Sequence, residues 1–293
     1  MAAQPLSPLP DELVESIILL RIPPDDPRGL IRAAVTCKHW HRVVSSPSFR
    51  RGFRDLHRTP PMLGVLRNYL VRGIPTVMFC PVYTFREYHQ HDWRAIDSRH
   101  GRVLLHRKGS MGFGHMLAVW NPVAGEQRIL PDLLPFETPW SNFNAAVLCA
   151  GGGGCDHIDC RRNGPFRVVF MMTNREKMAS YIYSSETNAW TESISPFLGK
   201  FCISSRGAFV EKENSLYFVL ETTPRILFYN LSTLELTVID SPPMMNDRAW
   251  PMRNDRLALM TGEGGGLGCA TVDGSNINSQ LYLSARNVDP DGH

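Results

Sequence analysis

Leu9-Pro10-Asp11-Glu12-Leu13-Val14-Glu15-Ser16-Ile17-Ile18-Leu19-Leu20-Arg21-Ile22-Pro23-Pro24 is the stretch on which the reading of this chain turns. Ser7 or Asp11 can cap a helix, and Pro8 or Pro10 suits a first turn whose N–H groups have no intrahelical partner. A helix is expected from about Asp11. Leu13, Val14, Ile17, Ile18 and Leu20 recur at three- and four-residue steps and make one apolar face. Pro23-Pro24 ends that helix, because proline lacks the N–H and clashes with the preceding turn. After Asp25-Asp26-Pro27 a second periodic run puts Leu30, Ala33, Ala34, Cys37, Trp40, His41 and Val44 on one side and stops at Ser45-Ser46-Pro47. Two helices of this size expose more apolar surface than they bury on each other, so a partner or the rest of the chain must cover the remainder.

Periodicity alone fits a helical cap on the chain's own domain equally well. The motif order separates the two readings. Leu9-Pro10-Asp11-Glu12-Leu13, then Arg21-Ile22-Pro23, then Val35-Thr36-Cys37-Lys38-His39-Trp40, then Pro47-Ser48-Phe49 resemble the F-box in content and order. Arg54-Asp55-Leu56-His57-Arg58-Thr59-Pro60-Pro61-Met62-Leu63-Gly64 resembles the segment that follows the F-box in a large group of plant F-box proteins. The resemblance implies a module that binds a Skp1-type adaptor and, through it, a cullin-RING ubiquitin ligase. Its expected adaptor-side or supporting residues are Leu9, Pro10, Leu13, Ile17, Ile18, Val35, Cys37 and Trp40. The segment from Glu15 to Pro23 is one residue longer than the family's usual pattern. One extra residue turns everything beyond it by about 100° on a regular helix, so it decides which isoleucine meets the adaptor.

The 293 residues suffice for one sizeable core beside a small module, and 43% apolar content is that of a globular protein. A net charge of +3 is too small to argue for nucleic acid or an anionic membrane; Arg50, Arg51, Arg54 and Arg58 read as a solvated helix face. No basic segment followed by an apolar run opens the chain, and no run is long enough to cross a bilayer. A soluble protein of the cytoplasm or nucleus is expected. Seven scattered cysteines do not make the dense even framework of a small secreted domain, so reduced thiols are expected and Asn230-Leu231-Ser232 reads as part of a turn.

Pro60, Pro61, Gly64, Gly73 and Pro75 give residues 59–76 the character of a linker. From about Val77 the apolar runs are short, rich in Val, Ile, Tyr and Phe, and separated by turn residues, which predicts many short strands. Candidates are 77–80, 102–106, 116–120, 145–149, 166–172, 180–183, 215–220, 226–229, 236–239 and 257–260. Three segments superimpose: Val119-Trp120-Asn121-Pro122-Val123-Ala124-Gly125, Ile182-Tyr183-Ser184-Ser185-Glu186-Thr187-Asn188 and Phe228-Tyr229-Asn230-Leu231-Ser232-Thr233-Leu234. Each reads strand, tight turn, strand. Tyr183 and Tyr229 lie 46 residues apart, close to one propeller blade of the WD or kelch kind. A four-stranded blade cannot bury both faces alone, so blades must stack.

These segments also resemble the F-box-associated, kelch-like propeller of the same plant group, notably Asp97 to Leu105, Val119-Trp120-Asn121-Pro122 and Gly265-Gly266-Leu267-Gly268. The family continues past Leu281 to Arg286, whereas this chain ends at His293. The expected fold is α+β and multidomain: a helical F-box at 1–58, a linker at 59–76, and an all-β propeller-like domain at 77–293, with a Gly- and Cys-rich inserted loop at 150–165. At about 45 residues per blade the β part makes four to five blades, so a small, irregular or open ring is expected.

Cys149, Cys155, His157 and Cys160 could supply four zinc ligands, but the spacing is not C-x2-C and the tetraglycine Gly151 to Gly154 places the first ligand poorly. A flexible loop is the expectation, with no metal and no cofactor. His89-x-His91-Asp92 is a weaker set of the same kind, and Gly262 to Gly268 does not follow a dinucleotide pattern. No pattern of a nucleotide, metalloprotease or serine-hydrolase site is present, so an enzyme is not expected. Trp120, Tyr183 and Tyr229 are expected in the inter-blade core; Trp93, Trp140, Trp190 and Trp250 are the candidates for a target-facing loop. The resemblance thus implies a substrate receptor of an SCF-type ubiquitin ligase, the F-box holding the adaptor and the β domain an unknown target. The alternatives are a propeller-type ligand- or sugar-binding protein with a helical cap, and a truncated copy that binds adaptor but no target.

Overall fold

A computed structural model describes all residues except 1–9, 11–12, 25–26, 58–62, 83–86, 109–113, 134–141, 152–154, 156, 158–159, 161–163, 174–177, 195–202, 211–213, 221–224, 241–256, 263–264, 274–279 and 286–293. Two compact units emerge, Met1–Ala95 with Cys155–Gly164, and Ile96–Gly154 with Pro165–His293.

Among its described residues the first unit has four short helices: α1 (Val14–Leu19, a π-helix), α2 (Pro27–Thr36), α3 (Lys38–Ser45) and α4 (Pro47–His57). The expected second helix is two. Cys37 takes an extended conformation, φ −157° and ψ 161°, and its Sγ accepts from the Trp40 N–H at 3.4 Å, so it caps α3 instead of continuing α2. The break resets the helical phase. Leu30, Ala33, Trp40, Val43 and Val44 join the core, while Cys37 and His41, expected on the same face, are exposed. Leu19, Ala33, Phe49 and Phe53 are buried at the centre of this core.

The same unit carries the sheet of β1 (Gly64–Val71), β2 (Ile74–Pro81) and β3 (Tyr88–His91). Within the linker expected at 59–76, residues 64–76 are strand and turn. Arg72 and Gly73, with φ of 51° and 83°, close a two-residue hairpin whose twist matches paired strands. Gly73 and Pro75 mark that turn and the following strand, not a linker.

Among the described residues, the rest of the chain forms four successive antiparallel sheets, each built by consecutive strands. They comprise β4 (Arg94–Arg99), β5 (Arg102–Lys108), β6 (His115–Asn121) and β7 (Glu126–Ile129); β8 (Asn142–Cys149), β9 (Phe166–Thr173), β10 (Met178–Ser184) and β11 (Ala189–Ile194); β12 (Ile203–Val210), β13 (Ser215–Leu220), β14 (Arg225–Asn230) and β15 (Glu235–Asp240); and β16 (Leu257–Thr261), β17 (Leu267–Asp273) and β18 (Gln280–Ala285). Every sequence-predicted strand lies within one of these or within β2.

Alternation along the strands explains how the sheets stack. Val168, Phe170 and Met172 of β9 pack with Leu104, Leu117 and Val119 of the preceding sheet, while Val169 and Met171 pack with Leu216, Phe218 and Leu227 of the following one. The next interface repeats the pattern, with Tyr217, Val219 and Ile226 against Leu259, Leu267 and Cys269. First strands approach first strands, β8 with β12 and β12 with β16. This is the arrangement of successive propeller blades. Trp120, Tyr183 and Tyr229 are buried as expected. The turns after Trp120 and Tyr229 share one device: the Asn121 Oδ1 accepts from the N–H groups of Val123 and Ala124, and the Asn230 Oδ1 from those of Ser232 and Thr233.

Asp97 on β4 links two of these sheets. Its carboxylate accepts from the Val147 N–H of β8 at 2.9 Å and from the Arg99 Nε at 3.0 Å. Burial pushes the carboxyl above its ordinary value of 3.8, against the lowering effects of the Arg99 charge and the backbone N–H groups. The folded protein then takes up this proton before the unfolded chain does, so Asp97 adds stability as pH falls from the raised folded value toward 3.8 and withdraws it as pH rises. The stability of wild type relative to Asp97→Asn is expected to increase on acidification across that window. Urea unfolding of both proteins at several pH values measures it, and a flat or falling difference contradicts it.

Candidate functional site

The exposed face of the helical module is the candidate site, because aliphatic side chains remain in solvent beside a core that is already filled. Leu13 is 42% exposed, Ile17 53% and Val35 76%, and Ile18 and Ile31 are also exposed. Leu19, between these positions, is fully buried.

The π-helix accounts for this split. A π-helical turn accommodates an additional residue without carrying the whole phase error forward. The one-residue excess between Glu15 and Pro23 falls where α1 is π-helical, and the Leu20 N–H donates to the Glu15 O, five residues back, at 2.9 Å. Leu19 and Leu20 thereby reach the core, and Ile17 and Ile18 stay outside. At the end of α4 the His57 Nε2 lies 2.8 Å from the Leu20 O, satisfying a carbonyl that the end of α1 leaves over. Gly29 allows Ile22 to pack close: a Cβ there would stand 2.7 Å from the Ile22 Cγ2.

Of the residues expected to serve adaptor binding, Pro10, Leu13, Ile17, Ile18, Val35 and Cys37 are exposed on this module. Trp40 is half-buried and packs against the core. Leu9 lies outside the described residues. Ile31 and Leu56, both more than half exposed, were not among the expected set. Ile31 stands one helical turn before Val35, and that i, i+4 relation was the available signal. The arginines of α4 behave as a solvated face: Arg50 donates to the carbonyls of Ser45 and Ser46, and Arg54 pairs with Asp55 at 3.3 Å. Arg58 lies outside the described residues.

Other sequence candidates resolve differently. Trp93 is buried, and Trp190 donates from Nε1 to the Pro131 O at 2.9 Å and packs against Tyr183, so neither stands on a target-facing loop. Trp140 and Trp250 lie outside the described residues. The His89 Nδ1 lies 2.7 Å from the Tyr69 hydroxyl and the His91 Nδ1 lies 3.4 Å from the Thr76 hydroxyl, so the two rings serve cross-strand contacts. Gly262 to Gly266 closes the β16–β17 hairpin through two backbone hydrogen bonds, which is turn chemistry and not a phosphate cradle.

Residues 6–52 match the F-box domain family model, so the chain carries an F-box domain at its N-terminus. A putative F-box protein of Arabidopsis thaliana is 24% identical over 241 residues, covering 80% of this chain. The chain spans 61% of that relative's length. Among solved structures, the β-propeller domain of Myceliophteria thermophila Cps50 (Swd1) covers 78% of this chain and 68% of its own at 8% identity, with a TM-score of 0.41. The β-propeller domain of the trilobed protease from Pyrococcus furiosus covers 76% and 64% at 7% identity, with a TM-score of 0.38. Both scores are below 0.5, and the architecture rests on the strand order, register and core given above. No helix among the described residues is long and apolar enough to cross a membrane.

Proposed function

We propose that this protein is the substrate-receptor subunit of an SCF-type ubiquitin ligase. The observation that carries the reading is the exposed aliphatic set Leu13, Ile17, Ile18, Ile31 and Val35 on a helical module that matches the F-box. Burying a branched aliphatic side chain in a partner's groove is worth about 1.5–3 kcal/mol, so two or three such anchors give a stable complex with a Skp1-type adaptor. Through that adaptor the chain joins a cullin-RING ligase.

The β domain then holds the target. Its contribution to ubiquitin transfer is positioning: a tethered target lysine meets the catalytic partner at a high effective concentration. No catalytic residue of this chain is required, and the protein works in the cytoplasm or nucleus with neither nucleic acid nor membrane as partner. The stacked sheets support the reading as a rigid scaffold on which connecting loops can vary.

Assembly tests this. Full-length protein mixed with a Skp1-type adaptor and a cullin-RING module is expected to co-migrate as one complex on size exclusion, and a chain lacking residues 1–58 is expected to elute alone. Co-migration of the shortened chain, or failure of the full chain to join, overturns the proposal. A folded full chain that stays apart would favour a propeller-type binding protein with a helical cap.

A further inference from the structure

We propose that Cys155, His157 and Cys160 form a zinc site in the loop between β8 and β9. Cys155, His157 and Cys160 lie together in the first unit. Their ligand atoms all lie within 4.8 Å of one another, and the Cys160 Sγ stands 3.5 Å from the His157 Nδ1. Tetrahedral zinc with Zn–S of about 2.3 Å and Zn–N of about 2.0–2.1 Å sets sulfur and nitrogen about 3.6 Å apart. The observed separation matches that edge.

The backbone bends at His157. His157 has φ of 55°, a left-handed conformation that is uncommon for a residue with a side chain. The Gly164 N–H donates to the Cys160 O at 3.2 Å, and a Cβ on Gly164 would stand 2.5 Å from the Cys160 Cα. Only glycine permits that approach. Cys160 is 8% exposed, and Cys155 and His157 are half-buried. Ordering a Gly-rich segment costs conformational entropy, and residues 150–165 contain few apolar side chains to offset it. A bound metal supplies that kind of stabilisation directly.

No described cysteine is in a disulfide, and two thiolates with one imidazole select zinc, whose fourth position water can fill.

The test uses the full chain purified under reducing conditions without chelator. About one zinc per chain by elemental analysis is expected, and Co2+ in its place is expected to show the visible bands of tetrahedral coordination with thiolate charge transfer. Cys155→Ser and Cys160→Ser are each expected to lower zinc affinity about 100-fold or more in competition with a chromophoric chelator, whereas Cys155→His, which keeps a ligand, retains the metal. A folded chain without stoichiometric zinc, Co2+ bands of octahedral type, or a Cys155–Cys160 disulfide in the reduced preparation overturns the site.

Discussion

Changing Leu13 and Ile17 together to Asp is expected to abolish adaptor binding while leaving the chain folded. Each side chain is about half exposed in the isolated protein, so the substitution removes little from the core; stability should move by no more than about 0.5 kcal/mol. In the complex the same positions would be buried anchors, worth about 2 kcal/mol or more each, and the new carboxylates would be desolvated without a partner. A loss of about 4 kcal/mol is a factor of about 1,000 in Kd. Isothermal titration with a Skp1-type adaptor measures the loss, and urea unfolding measures the unchanged fold. Arg51→Ala, on the solvated side of α4, is expected to leave both within error. Retained affinity in the double variant would remove this face from the interface.

Phe49→Ala is expected to act from the opposite side. Phe49 is 1% exposed, its ring lies 5.8 Å from that of Phe53, and it shares a core with Leu19 and Ala33. Deleting a buried phenyl ring costs about 3–5 kcal/mol. A four-helix core of this size has little more than that in hand. Helical amides of residues 27–57 should then lose protection in hydrogen exchange, adaptor affinity should fall with them, and the amides of β9 and β13 should keep their protection. Phe49→Leu, which leaves most of the volume in place, should restore much of both. Loss of affinity in Phe49→Ala with full helical protection would contradict a purely structural role.

Both predictions depend on side chains whose placement differs in how far the sequence reveals it. Leu13 and Ile17 follow from helical spacing and from the F-box-like order of motifs, and Val35 from the motif order alone. Ile31 could have been found from its i, i+4 relation to Val35. The π-helical turn could not, because one extra residue is equally compatible with a rotated regular helix until the packing of Leu19 and Leu20 is known. The split between α2 and α3 was hidden for a related reason: Cys37 fits the apolar period, and only its extended backbone shows that it caps.

Among the strands, β9, β13 and β14 are legible because both faces are buried and the runs are continuously apolar. β3 (Tyr88-His89-Gln90-His91) and β7 (Glu126-Gln127-Arg128-Ile129) give no such signal, since they lie at sheet edges and carry polar residues. β1 was concealed by the proline- and glycine-bearing residues around it. The cysteine and histidine cluster was visible as composition. Its geometry was not, because the left-handed turn at His157 and the close approach at Gly164 are set by contacts distant from any spacing rule.

The most direct measurement is titration of the full-length wild-type protein with a purified Skp1-type adaptor, read by calorimetry and by light scattering of the mixture. The account predicts saturable one-to-one binding, with a mass equal to the sum of the two chains and a negative heat-capacity change from buried aliphatic surface. A folded, monodisperse protein that shows no heat and no change in mass at micromolar adaptor would contradict it.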